Sequence, residues 1–343
     1  MTWVTFRRFR FELVTLTVAL AALAAWLIGT GLQHYAAFDV PYVGPISAAA
    51  CARQIPQPQP NSECYNILTT YLNQFQGDGG NPLLSMLLSN TLHFLIALVP
   101  ALVGAMLGGP LIARELERGT FRLVWAQGIT RGRWLWGSVI AATLATIALV
   151  GAITLVVTWW SAPLDQIVGH FSGGFEMEGL VPLAYALFAL ALGIALGLIV
   201  RSSVPALFIT LLGFFLVRSL ITQLATQLYA YFMPPLTITY DSSIAVPPTG
   251  PQMRDWVTSS GFVDHFGDPV SQDLINGICG ANDPTTAGNP TSACVHAHGW
   301  LYTVTWQPDS RFWAYQGIES AIYLALALAV LAVAIWWVRR RPV

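Results

Sequence analysis

The side chains able to do chemistry are few and unevenly placed. No lysine occurs among the 343 residues, so apart from six histidines every basic side chain is arginine. That excludes a G-x-x-x-x-G-K-[ST] phosphate loop, whose Lys must reach the terminal phosphates of a nucleotide. The chain is therefore expected to hold no cofactor; if ATP drives it, ATP and Mg bind to another chain. No H-E-x-x-H, no G-x-S-x-G and no paired Asp within an apolar run is present. The usual arrangements for metal-assisted or nucleophilic hydrolysis are missing, which points away from an enzyme. The four cysteines are Cys51, Cys64, Cys279 and Cys294. Of three possible pairings, the sequence-local one is expected, Cys51 with Cys64 and Cys279 with Cys294. Closing a loop of about 15 residues contributes about 3 kcal/mol in the chain-entropy model. His296 and His298 follow Cys294 at a spacing that suits a metal, but a disulfide-bonded cysteine is no ligand, so no metal is assigned.

Two further groupings concentrate charge or bury it. Between Ala113 and Trp134 stand Arg114, Glu115, Glu117, Arg118, Arg122, Arg131 and Arg133. Leu116, Thr120, Leu123 and Gln127 share one helical face there while charges crowd the others, as in an amphipathic helix at a membrane boundary. Gly119 should bend that helix and Gly128 should end it. Arg218, by contrast, lies deep in an apolar run, with Thr222, Gln223, Thr226 and Gln227 widening a polar flank. An arginine at such depth is costly unless it faces a bundle interior or water. The flank could line a translocation path, or Arg218 could form a structural pair with Glu319 or His93; both readings stay open.

These groups must be carried by membrane helices. Residues are 55% hydrophobic and 10% charged, against about 25% charged in soluble domains. A net charge of −1 argues against a nucleic-acid partner. About 20 apolar residues cross a hydrocarbon core, and six runs qualify: Leu13 to Leu32, Leu87 to Ala113, Trp134 to Trp160, Leu180 to Val200, Val204 to Phe232 and Gly317 to Val338. Arg7, Arg8 and Arg10 before the first run also suit a signal peptide, but the run from Leu13 to Leu32 is long enough to span a bilayer and no convincing small-x-small cleavage site follows it, so an uncleaved span is expected. Pro100 should kink the second run without breaking it. With six spans, the N-terminal arginines, the residue 113–133 segment, Arg201 and the C-terminal Arg339, Arg340 and Arg341 share one side, which the positive-inside rule makes cytoplasmic. Asp and Glu collect on the other side. Trp134 and Trp136 against Trp159 and Trp160, and Trp313 against Trp336 and Trp337, read as interfacial belts. Gly104 with Gly108 and Gly193 with Gly197 form small-xxx-small pairs, which report helix packing at most.

The expected division is an interfacial segment at 1–12; spans 1–5 at 13–232, with an outer loop at 33–86 and the cytoplasmic loop at 113–133; an extracellular cap at 233–316; and the sixth span with a basic tail at 317–343. In the first outer loop Ser62 is a plausible N-cap, and Tyr65, Leu68, Leu72 and Phe75 recur at helical spacing. The second outer loop, rich in Pro and turn residues, reads as small and irregular.

The stretch from Ala113 to Trp134 resembles the permeases of type-2 ATP-binding-cassette (ABC) exporters on Glu115, Gly119, Thr120, Leu123, Thr130, Arg131 and Trp134. Tyr302 to Ala327 looks like the end of a subgroup common in high-GC Gram-positive bacteria, on Gln307, Pro308, Ser310, Arg311, Phe312, Trp313, Gln316 and Glu319. Ser138 departs from the family, where many relatives have Lys. The resemblance implies an all-α membrane protein with six transmembrane helices, an interfacial N-terminal helix, a cytoplasmic coupling helix and a disulfide-stapled extracellular region. It further implies a permease in a bacterial plasma membrane, with both termini cytoplasmic. Two copies of an ABC ATPase subunit would power it, and a second permease copy or a paralogue would pair with it. Arg114, Glu115, Glu117, Arg118, Gly119, Thr120 and Arg122 would then couple ATPase closure to the spans; an ordinary positive-inside loop would need the arginines alone. Hydrophobic or amphipathic compounds suit such apolar spans. A secondary transporter, or a membrane anchor for an outer-surface assembly, is the alternative.

Overall fold

The computed structural model describes residues 2–44, 46–54, 62–76, 90–118, 131–171, 174–241, 250–279 and 290–340. The helices and strands in chain order are α1 (Thr2–Asp39), β1 (Pro41–Val43), β2 (Ile46–Ser47), α2 (Ala48–Ala52), α3 (Glu63–Gln76), α4 (Asn90–Arg118), α5 (Arg131–Val168), α6 (Val181–Val200) and α7 (Ser203–Phe232). There follow β3 (Leu236–Tyr240), β4 (Trp256–Val263), β5 (Pro269–Val270), α8 (Gln272–Cys279), α9 (Pro290–Ala297), β6 (Leu301–Gln307), a 3-10 turn (Asp309–Arg311) and α10 (Phe312–Arg340). They form two compact units, one of Met1–Gln166, Gly173–Thr226 and Trp313–Val343, the other of Ile167–Ser172 and Gln227–Phe312.

The first unit is helical. Among the described residues five helices are long and apolar enough to cross a membrane: Phe11–Asp39, Trp136–Val168, Val181–Val200, Ser203–Leu224 and Asp309–Val338. The second apolar run supplies a shorter one, Ile96–Leu111, inside α4. α4 runs unbroken through Pro100 and Pro110. The segment at 2–12 is continuous with the first span, α1 running from Thr2 to Asp39 with no proline or glycine near residue 12 to interrupt it.

α6 is the central helix. It is apolar all round, with buried residues on every face, and it supplies Ala186, Leu190 and Ile194 to one core cluster and Val181, Tyr185 and Phe188 to another. Against it α4 packs backbone to backbone. A Cβ added at Gly104 would overlap the Ala186 carbonyl oxygen and come 2.8 Å from the Leu190 nitrogen. One added at Gly193 would come 2.8 Å from the Gly109 nitrogen, and one at Gly197 would come 2.6 Å from the Gly109 oxygen. Lipid tails are as apolar as leucine, so membrane helices associate through such close packing rather than through water exclusion. The outward faces stay apolar and exposed, as at Leu155, Leu216 and Leu328.

At one end of this unit aromatic side chains fasten α1, α3 and α5 together. Tyr35 stacks on Trp159 with ring centroids 5.2 Å apart, and its hydroxyl donates to the Trp159 carbonyl at 2.9 Å. Trp160 is buried and donates to Thr30 Oγ1 at 3.1 Å, so it serves α1 rather than an interfacial belt. Ser62 Oγ accepts from the Tyr65 amide at 3.2 Å and caps α3. The buried stripe of α3 is Cys64, Ile67, Leu68 and Tyr71, rotated from the expected Tyr65, Leu68, Leu72 and Phe75. The rotation follows from Cys64, whose bond to Cys51, with Cα atoms 5.2 Å apart, turns that face inward.

The second unit is not an irregular loop. β3, β6, β4 and β5 form an antiparallel sheet in that order. β3 and β6 pair without a break from Leu236↔Trp306 to Tyr240↔Tyr302. Both strands alternate β-branched or aromatic residues, the composition that suits a pleated surface. Thr237 bonds Thr305 and Thr239 bonds Thr303 across one face. α8 and α9 are joined through Cys279 and Cys294, with Cα atoms 5.6 Å apart, and bury Ile275 and Val295. His298 Nδ1 lies 2.8 Å from the Cys294 carbonyl oxygen, and His296 pairs with Asp241.

The glycine seam gives a direct test. Gly104→Ala forces backbone apart and should cost about 1–3 kcal/mol, seen as a lower melting temperature of the detergent-solubilised protein. Gly137→Ala, where nothing lies within 4 Å of the added Cβ, should cause no loss.

Candidate functional sites at the two ends of the bundle

The first site lies where α4 ends and α7 begins. The charged last turns of α4 reach side chains of two neighbouring helices. Arg114 forms an ion pair with Glu12 of α1, a carboxylate only 5% exposed. One turn on, Glu117 accepts from Ser202 Oγ at 3.0 Å and from Ser203 Oγ at 2.9 Å. This sets a carboxylate against the N-terminus of α7, where the helix dipole favours negative charge. α6 and α7 are joined by Arg201 and Ser202 alone. Arg201 ends α6 at φ 55°, in the left-handed region, and its amide bonds the Gly197 carbonyl at 3.1 Å.

Of the residues expected to couple, Arg114 and Glu117 are thus engaged within the chain. Glu115 and Arg118 lie on the last turns of α4, with side chains outside the described residues, and Gly119, Thr120 and Arg122 fall wholly outside them. Sequence reasoning missed Glu12, Ser202 and Ser203 as partners. A usable signal existed, since a carboxylate at the edge of an apolar run needs a cation or several donors nearby.

The second site is at the opposite end of α6. Arg218 forms an ion pair with Glu176, and its guanidinium carbon sits 4.6 Å from the centroid of the Tyr185 ring. Tyr185 donates its hydroxyl hydrogen to Glu319 Oε1. Its ring meets that of Tyr323 edge-on at 4.6 Å. The expected direct pair of Arg218 with Glu319 is therefore replaced by a relay, Glu176–Arg218–Tyr185–Glu319. Glu176 was assigned to a loop beyond the span; it reaches Arg218 because its loop folds back over the start of α6, where Glu178 is buried. Thr222 and Gln223 are exposed while Arg218 turns inward, so the polar flank is divided. The side chains of Thr226, Gln227 and His93 lie outside the described residues.

The second sequence motif acquires a physical account here. Gln316 is fully buried on α10; its Oε1 accepts from the amides of Leu180 and Val181 at 3.0 and 2.9 Å, and its Nε2 donates to the Phe175 carbonyl at 2.7 Å. It thus serves the free amides at the start of α6 from another helix, since the N-cap residue Leu180 has no side-chain acceptor to offer. In the second unit Gln307 donates to the Met233 carbonyl at 3.0 Å and Arg311 to the Pro234 carbonyl at 2.8 Å. Asp309 accepts from the His170 amide at 2.9 Å. These residues fasten backbone.

The relay predicts unequal effects. Arg218→Gln removes the largely buried partner and should cost about 1–3 kcal/mol in thermal unfolding. Glu176→Gln, whose side chain is 46% exposed, should cost under about 1 kcal/mol.

Comparison with known families adds what geometry leaves open. The family described as ABC-2 membrane transporter related matches residues 17–226, from the first span to the polar flank of α7. No curated protein matches the chain, and no solved structure does. The matched region holds Arg114, Glu117, Ser202 and Ser203 of the first site and Glu176, Tyr185 and Arg218 of the second, and such a permease works with an ATP-binding partner subunit. The chain belongs to the ABC-2 membrane transporter related family and is a transporter permease of the membrane.

Proposed function

We propose that this chain is the permease of an ABC exporter that moves a hydrophobic or amphipathic compound out of the cell, powered by a separate ATPase. Six spans cross the membrane, α4 providing the sixth through its apolar stretch. Both termini and the residue 113–133 segment face the cytoplasm, as the arginine distribution supports. Two permease chains, identical or paralogous, work with two ATPase subunits that hold ATP and Mg. The stretch from Gln307 to Glu319 supports a place in the subgroup common in high-GC Gram-positive bacteria.

One observation carries the coupling role: the end of α4 that leads into the arginine-rich segment is fastened to α1 through Glu12 and to α7 through Ser202 and Ser203. A push on that segment would be delivered to three spans at once, and a packed bundle answers such a push by moving between discrete arrangements. Glu115 and Arg118, next to these fastened residues, supply the charges a soluble partner would grip.

Replacing Glu115 and Arg118 together with alanine should abolish ATP-dependent efflux, with the variant still inserted and its melting temperature unchanged. Unaltered efflux would remove the coupling assignment. Co-purification with an ATPase subunit encoded beside it should succeed for the native chain and fail for this double variant.

A further inference from the structure

The sheet of the second unit has two unlike faces. Residues paired directly across antiparallel strands share a face, and the pairing of β3, β6 and β4 sorts them. Tyr240, Tyr302 and Phe262 fall on one face, the Tyr302 ring lying 5.7 Å from that of Tyr240 and 5.0 Å from that of Phe262. Phe262 packs against the cluster of Ile275, Cys279 and Val295 on α8 and α9. The opposite face carries Thr237, Thr305 and Ser259 in one row and Thr239, Thr303 and Gly261 in the next. Thr237, Thr239 and Ser259 are exposed, and Thr303 and Thr305, on the central strand, are half-buried. Such positions repeat about every 4.8 Å across the strands and about every 6.8 Å along them. Thr237 and Thr305 bond at 3.0 Å and Thr239 donates to Thr303 at 3.2 Å, which fixes the side-chain directions. A hydroxyl offers one donor and two acceptor positions, so one such bond leaves it able to accept another.

Two features mark this face as one that meets a ligand. Protein surfaces ordinarily hold about 25–35% charged residues, yet these two rows hold none, while Asp255, Asp264, Asp268 and Asp273 stand in the adjoining segments. Gly261 is the second. A glycine inside a strand weakens it, and marks a bulge or a close approach by a ligand. The bulge of β4 lies earlier, between Val257 and Ser259, and a Cβ added at Gly261 would meet nothing within 4 Å among the described residues. The chain keeps this position flat with no packing of its own to require it.

From this array we infer a binding face for an extended neutral glycan. Sugar hydroxyls both donate and accept, as the threonine hydroxyls do, and a β-1,4-linked chain is flat enough to lie across Gly261. An acidic polymer would need cations that these rows lack, and a protein partner would need the apolar core of an ordinary interface. The binding stands apart from the exporter reading; its place outside the cell, where envelope polysaccharide is met, follows from the orientation proposed above.

The test uses the purified full chain in phosphatidylcholine nanodiscs, with cellohexaose and chitohexaose as probes in titration calorimetry. At least one hexamer should bind, at least tenfold more tightly than its monosaccharide, and dextran sulfate should not compete. Thr237→Val with Thr305→Val should reduce the affinity about tenfold at an unchanged melting temperature, and Thr237→Ser with Thr305→Ser should keep most of it. Should the valine pair aggregate, Gly261→Gln, which builds a side chain onto the face and leaves every hydroxyl in place, should give the same loss. Binding of neither hexamer above empty nanodiscs, equal competition by dextran sulfate, or full affinity in the valine pair and in Gly261→Gln overturns the glycan face. Self-association of the native chain in light scattering that Gly261→Gln abolishes, with no hexamer bound, assigns the face to a second copy and likewise overturns it. No arm measures ATPase capture or efflux, so a negative result leaves the permease reading to its own co-purification test.

Discussion

In a hydrocarbon solvent nothing squeezes helices together, so a bundle must be held by atoms that touch and by polar groups that find no other partner. The backbone contact of α4 with α6 through Gly104, Gly108, Gly109, Gly193 and Gly197 meets the first need. It leaves no space for a side chain along the seam and so fixes the height of α4 against α6. That height sets Arg114 beside Glu12 and Glu117 beside Ser202 at one end. At the other end the relay through Arg218, Tyr185 and Glu319 and the cap from Gln316 meet the second need. The polar clusters are thus positioned by contacts that carry no charge.

Much of this was legible in the sequence for a simple reason: a span announces itself by length and apolarity. The helices α1, α5, α6, α7 and α10 lie over the expected runs, and Ser62 reads as a cap because its hydroxyl competes for a free amide. Other features depend on distance in space. Glycine pairs occur by chance in segments rich in Ala and Gly, so the pattern alone could not distinguish Gly104, which meets a backbone oxygen, from Gly137, which meets nothing. Glu176 looked like one more acid beyond a span because its loop's return to Arg218 is a tertiary event. The strands from Leu236 and Leu301 were hidden by flanking Pro, Gly and Asn, and their pairing partners lie more than sixty residues apart.

Three residues of the stretch singled out near the C-terminus, Gln307, Arg311 and Gln316, prove to be fasteners. Gln316 closes the open amides of α6, and Gln307 with Arg311 closes the carbonyls just past α7. Buried backbone groups in a membrane have no water to fall back on, so a glutamine such as Gln316 that satisfies them is tightly constrained by the fold. A motif in a permease can therefore mark where the fold would otherwise leave a bond unmade.

The turn between α6 and α7 limits how this chain can diverge in length. Surface loops ordinarily absorb inserted residues at small entropic cost. Here two residues reverse the chain, the first is already held at a positive φ, and the second, with its neighbour Ser203, is hydrogen-bonded to Glu117. An added residue would detach the head of α7 from α4. Chains that share this architecture should therefore keep that hairpin at one length and accumulate their insertions elsewhere.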